Sequence, residues 1–284
     1  MNIFVHKTGV MHAISIAMVS GYTDYAAGQI APEDAVWLTE KFRRLYGTGW
    51  SSSRRSRAKR AGNGVAQLFI HPNYTAPVFD WWLMLTPGPH LAREAEVVYD
   101  GLNPKTRLVL LGQYESVQLP GRPRQPTDKY PSAAPSWTWR MTTATYETWQ
   151  SRLEAAAGRH PKTYDDWSRN IDEMRRLLWT LRRLPGFRGI RDQADMLDRL
   201  TKEAWRKAKG ESEDDGWKEI GVPVAKPWYV RFKTYPMVDL EFVRQRLLDG
   251  KPPFTDELKL TWAKRGADGQ LAADRQDDQT DGGD

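Results

Sequence analysis

The chain has 284 residues, 40% of them hydrophobic, with 13 Trp and a formal net charge of +6. That is enough for one large domain or two modest ones, each with a buried core. The lack of cysteine excludes disulfides, thiolate nucleophiles and Cys-based metal sites, and it fits a reducing cytoplasm. No apolar run approaches the ~20 residues of a membrane span, so no membrane partner is expected. The segment 10–19 behind Lys7 carries His12 and Ser15 and has no good cleavage site after it, so it is not read as a secretion signal. The charge is uneven. From Gly266 on, six Asp and one Arg give a net −5, which leaves +11 on residues 1–265. The composition predicts a basic folded body and a disordered acidic tail over 266–284.

At the N-terminus MNIFV reads as a short edge strand, and MHAISIAMV as a second strand or a buried helix, which periodicity cannot separate. Ala31-Pro32-Glu33-Asp34 opens a helix, placing proline and acids where the free N–H groups and the dipole favour them. Leu38, Phe42, Leu45 and Tyr46 form its apolar face and Gly47 ends it. Four runs then predict an antiparallel sheet: 65–71, 79–86, 107–119 with Gly112 as a bulge, and 136–141. A short helix is expected over 94–100, and the proline-rich stretch 120–135 serves as a loop. Thr143 is expected to cap a helix through Tyr146, Trp149 and Leu153 that stops near Gly158. A second helix starts at 163–165, carries the stripe Trp167, Ile171, Met174, Leu177, Leu178 and Leu181, and ends at Pro185-Gly186. A third spans 190–209, and a last strand (228–233) and a short helix (239–248) follow. The expected class is α+β: an antiparallel sheet with N-terminal helices and a basic helical hairpin. The expected divisions are a sheet domain over 1–141, a mainly helical region with a returning strand over 142–265, and the tail.

Residues 41–64, KFRRLYGTGWSSSRRSRAKRAGNG, hold eight Lys or Arg and no acid, with four glycines and Trp50 among them. Positive charge on a freely turning backbone suits a phosphate chain. A solvated basic loop is the plainer alternative, and Arg43 and Arg44 at a helix C-terminus are held by its dipole in any case. Arg54, Arg55, Arg57, Lys59 and Arg60 fall outside any helix the pattern supports, and with Trp50 they form the first candidate binding set. The second is Arg175, Arg176, Arg182, Arg183, Arg188 and Arg191 around the turn LPGFRGIR, whose glycines either wrap a phosphate or simply join two helices. Trp137 and Trp139 share a strand face and, with Tyr114, form a candidate stacking platform for unpaired bases, core packing being the alternative.

Motifs for catalysis are absent. The chain has no G-x-x-x-x-G-K-[ST], H-E-x-x-H, G-x-S-x-G or G-x-G-x-x-G. Its five histidines are scattered, with no His-apolar-His pair for one metal, so Tyr22 and Tyr25 are not read as nicking nucleophiles. Asp239/Glu241 and Glu257/Lys259 read as solvated charge. His71, at a strand end beyond the basic stretch, is the one histidine placed for acid–base work on a ribose hydroxyl. No cofactor or metal is implied.

The strings LYGTGWSSSRRSRAKRAGNGVAQL, WWLMLT, PSWTWRM and LPGFRGIRDQ resemble a pattern in uncharacterised proteins of proteobacterial conjugative plasmids and integrative elements. The resemblance covers most of residues 37–195. It implies a bacterial mobile-element setting, where nucleic-acid partners are common, and brings no site residues with it. The expected role is non-catalytic binding of DNA or RNA in the cytoplasm, with protein partners in a larger complex possible. The alternatives are a metal-independent RNA-processing endonuclease using His71 or an Arg/Lys, and a basic protein docking an acidic partner.

Overall fold

A computed structural model describes residues 1–121, 135–209, 214–222, 226–230 and 235–258. The acidic tail, and most of the proline-rich stretch 120–135, lie outside the described residues. The chain divides into two compact units, one made of 1–100 with 233–284 and the other of 101–232. The boundary drawn from sequence after Met141 therefore falls inside the second unit.

In chain order the first unit begins with β1 (Asn2–Phe4), α1 (Lys7–Val19), β2 (Asp24–Ile30), a 3-10 turn at Pro32–Asp34 and α2 (Ala35–Tyr46). It continues with α3 (Ser52–Arg60), β3 (Ala66–Pro72), β4 (Phe79–Leu85), α4 (Ala92–Ala95) and β5 (Tyr99–Asp100). The second unit holds β6 (Val109–Leu110), β7 (Tyr114–Leu119), β8 (Ser136–Met141), α5 (Thr143–Ala157), α6 (Tyr164–Arg182), α7 (Arg188–Lys209) and α8 (Asp214–Ile220). The chain then returns to the first unit with β9 (Met237–Asp239) and α9 (Leu240–Leu248). The protein is α+β with antiparallel sheets.

The four expected strands do not form one sheet: 65–71 and 79–86 pair in the first unit, and 107–119 and 136–141 belong to a separate sheet of order β6-β7-β8 in the second. In the first unit the strand order is β3-β4-β2-β5, and β1 pairs separately with β9. One face carries Ala66, Leu68, Leu83, Leu85 and Ala26, packed against Leu38, Phe42 and Tyr46 of α2. Leu240, Val243 and Leu247 of α9 close a neighbouring core over Ile70 and Phe79. Gly47 adopts a left-handed conformation (φ 65°) and stops α2 where expected, although Leu45 faces solvent. β2 has no counterpart among the expected strands. Its Gly28 lies opposite Trp81, and a Cβ there would stand 2.8 Å from the indole, so the large ring lies over a strand of small residues.

The run 107–119 is not one bulged strand. Leu111 and Gly112 take positive φ (52° and 67°), Gln113 N–H donates to Leu110 O at 3.1 Å, and the chain reverses into β7. The helix expected over 94–100 is confined to Ala92–Ala95. Glu96 is extended, and its carboxylate accepts from Tyr46 Oη at 2.6 Å.

In the second unit, Thr142 and Thr163 cap α5 and α6 through side-chain oxygens, and Ile171, Met174, Leu177, Leu178 and Leu181 are buried along α6 as the stripe predicts. α7 packs against α5 and β8 as well as α6. A Cβ on Gly189 would lie 2.6 Å from Trp139 O, so glycine lets α7 approach β8 closely. Gln193 then acts as a strand partner: its Oε1 accepts from Met141 N–H at 2.6 Å and its Nε2 donates to Met141 O at 3.1 Å. Residues 226–230 carry no strand.

Candidate nucleic-acid interface

The principal cationic element is α3, a nine-residue helix, SSRRSRAKR, with no acid and no buried residue. Arg54 to Arg60, expected outside any helix, lie within one. With no apolar stripe to reveal this helix, its evidence lies at its two ends. Ser51 sits in extended backbone before the first turn, and its Oγ accepts from Arg54 N–H at 3.3 Å. At the other end Gly62 is left-handed (φ 79°) and Asn63 N–H donates to Ala58 O at 3.0 Å, a Schellman closure. The last turn holds Arg57, Lys59 and Arg60, favoured there by the dipole.

Two of its cations are moorings. Arg55 Nη1 donates to Trp50 O at 2.7 Å. Lys59 Nζ donates to Ser20 O, at the C-terminus of α1, at 2.9 Å and lies 4.3 Å from the centre of the buried Tyr22 ring. Burial, then the neighbouring Arg55 charge, lowers the Lys59 pKa; burial raises that of Tyr22. At about 100° per residue, Arg55 and Lys59 lie within about 40° of each other, while Arg54, Arg57 and Arg60 span an arc of about 120° on the opposite side. Arg54, Arg57 and Arg60 are exposed, and among the described residues none of their guanidinium groups has an ion-pair partner. Arginines spaced i, i+3 repel one another by a few tenths of a kcal/mol. The helix therefore presents three like charges outward and adds nothing to the core.

Trp50 is half-buried. Its indole folds back onto Gly47, where any Cβ would overlap the ring, and the Arg54 guanidinium lies 4.2 Å from the ring centre. Its ring thus holds the turn and Arg54. Of the other cations in 41–64, Arg43 is paired with Glu40 and Lys41 with Glu96, while Arg44 is exposed.

The second arginine cluster is mostly structural. Arg175 donates to Ile220 O and Glu219 O, both at 2.9 Å, and to Asp172 Oδ1 at 2.6 Å, which clamps the end of α8 to α6. Arg188 donates to Pro120 O and Arg191 to Pro227 O. Arg182 lies 5.4 Å from the ring centre of Trp179 and 5.0 Å from that of Trp228. Arg176 and Arg183 are exposed; Arg176 borders an open groove whose other cations include Arg159, paired with Glu173, and Arg169, paired with Asp166. The turn's glycines are occupied by close backbone packing. A Cβ on Gly186 would overlap Trp228 O, and Val230 N–H donates to Gly186 O at 3.1 Å, so this glycine admits the segment 226–230.

The expected stacking platform is core: Trp139 and Tyr114 are buried, and only Trp137 is partly exposed. Elsewhere Trp228 and Tyr229 are each 61% exposed, a feature that the short string PWYV did not flag. His71 is also corrected as an acid–base candidate. Its ring is fully buried, stacked on Phe254 at 6.0 Å, with Nε2 2.9 Å from Tyr74 Oη. Burial pushes its pKa down to about 3, so near pH 7 it is neutral and enclosed. Asp239 caps α9 and Glu241 pairs with Arg244, as the solvated-charge reading expects; Lys259 lies outside the described residues.

Among the described residues, no group of three or more His, Asp or Glu could hold a metal ion, and no helix is long and apolar enough to cross a membrane. No protein-family model, curated protein or solved structure matches the chain.

Proposed function

We propose that this chain binds nucleic acid through phosphate contacts and does no chemistry on it, as an accessory of a mobile genetic element in the bacterial cytoplasm. The observation that carries the reading is α3. It is capped at both ends, moored through Arg55 and Lys59, free of acids, and turns Arg54, Arg57 and Arg60 outward. A polyanion with closely spaced charges relieves the mutual repulsion of those three groups and releases its own counterions on binding. The enclosed position of His71 weighs against the endonuclease alternative. The mobile-element setting rests on the sequence resemblance.

The test is equilibrium binding of the full chain to a short duplex and to a single strand across 50–200 mM salt. Three phosphate contacts contribute a slope in log K against log[salt] of about −2.7 for duplex and about −2.1 for a single strand. An acidic protein as the true partner would appear as tight binding to a polyglutamate competitor with no measurable affinity for either nucleic acid. A flat salt dependence removes the phosphate reading.

A further inference from the structure

The geometry points to a base-stacking site for single-stranded nucleic acid in the second unit, formed by Trp228 and Tyr229 on their arginine supports. It rests on the nucleic-acid reading above and specifies the strandedness of the ligand.

Three contacts pin the backbone of 226–230. Gly186 has no side chain where Trp228 O lies, Val230 N–H donates to Gly186 O, and Arg191 Nη1 donates to Pro227 O at 2.7 Å. Such pinning normally accompanies burial of the side chains between the fixed points. Here Pro227 is buried, but Trp228 and Tyr229 are each left 61% exposed. Each ring meets a guanidinium: Arg182 is 5.0 Å from the Trp228 ring centre and Arg191 is 4.3 Å from that of Tyr229. Arg182 also lies 5.4 Å from the ring centre of Trp179, itself 39% exposed.

An arginine beside an aromatic ring restrains its rotation and adds positive potential next to an open π-surface. Held rings with exposed faces and adjacent cations are what unpaired bases stack on, because every base has a π-face and every linkage a negative phosphate. A duplex keeps its bases stacked inside and offers these rings little. An apolar partner would not call for a guanidinium at each ring. The backbone that carries the two rings is hydrogen-bonded before any ligand arrives, which lowers the ordering cost of binding.

The test compares Trp228→Ala/Tyr229→Ala with Trp228→Phe/Tyr229→Phe in the full chain, using a labelled oligo-dT and a duplex of equal length. The alanine pair should lose about tenfold in single-strand affinity per ring, with unchanged salt slope because no phosphate contact is removed. The phenylalanine pair should retain most of it, duplex affinity should not change, and thermal melting should confirm that both variants fold. Equal single-strand affinity in the alanine pair and the wild type overturns the proposal. So does an equal loss on duplex and single strand. The Arg54→Gln/Arg57→Gln/Arg60→Gln variant separates the two ideas. If it binds normally while the alanine pair fails on single strands, the α3 reading falls and the stacking site stands. If it fails while the alanine pair binds normally, the reverse holds. If the wild type binds neither ligand, both fall.

Discussion

Replacing Arg54, Arg57 and Arg60 with Gln removes three exposed charges from α3 and the Arg54–Trp50 ring contact, while the Ser51 cap and the Arg55 and Lys59 moorings remain and no buried residue changes. Gln and Arg have similar helix propensities, so the helix should persist. Loss of like-charge repulsion at the i, i+3 pairs should, if anything, steady it by a few tenths of a kcal/mol. With three fewer phosphate contacts, the slope of log K against log[salt] on duplex should become shallower by about 2.7. Between 50 and 200 mM salt, the wild type should then lose about 40-fold more affinity than the variant. The companion Arg55→Gln/Lys59→Gln should behave differently, because those cations are spent on Trp50 O and Ser20 O. Its slope should stay near wild type while α3 loosens, seen as faster amide exchange over 52–60. Fluorescence anisotropy on a salt series checks both. The division of the helix is refuted if the two variants flatten the slope equally, and the phosphate reading is refuted if neither changes it.

Arg175→Met should lower stability by about 2–4 kcal/mol in chemical denaturation, because two carbonyls at the end of α8 lose a charged donor, and it should leave nucleic-acid affinity unchanged. Gly186→Ala should displace 226–230, cost about 2–4 kcal/mol through the Val230 and Arg191 hydrogen bonds, and weaken single-strand binding in the same protein; intact stability and binding would contradict the packing described. His71 is held neutral by burial down to about pH 3, whereas the unfolded chain protonates it near 6.5, so stability falls as pH drops through that window. At pH 4.5 the difference is about 3 kcal/mol, and in His71→Gln the melting temperature should fall less steeply between pH 7 and 4.5 than in the wild type.

Several features were legible in the sequence because their causes are local. Pro32 with Glu33 and Asp34, the left-handed Gly47, the Thr163 cap and the stripe from Ile171 to Leu181 each depend on neighbours within a turn or two, and each lies where the pattern placed it. The α+β class follows from such local elements. The exposed charge at Arg54, Arg57 and Arg60 was also legible, since an acid-free run has no local partner to neutralise it. What the tertiary structure alone decided involves contacts distant in sequence. β2 is a strand of small residues because Trp81, 53 positions after Gly28, occupies the space above it. Arg175, Arg188 and Arg191 read as a phosphate-binding cluster along the chain, but they meet carbonyls at residues 219–220, 120 and 227 that no local pattern announces. Trp139 and Trp228 are the same residue type in equally short aromatic strings. One is buried where Gly189 draws α7 onto its strand, and the other is exposed because Gly186 lets its backbone, and not its ring, pack inward. Composition fixes how much charge and aromatic surface a chain carries; which of it remains for a partner depends on what distant backbone has already claimed.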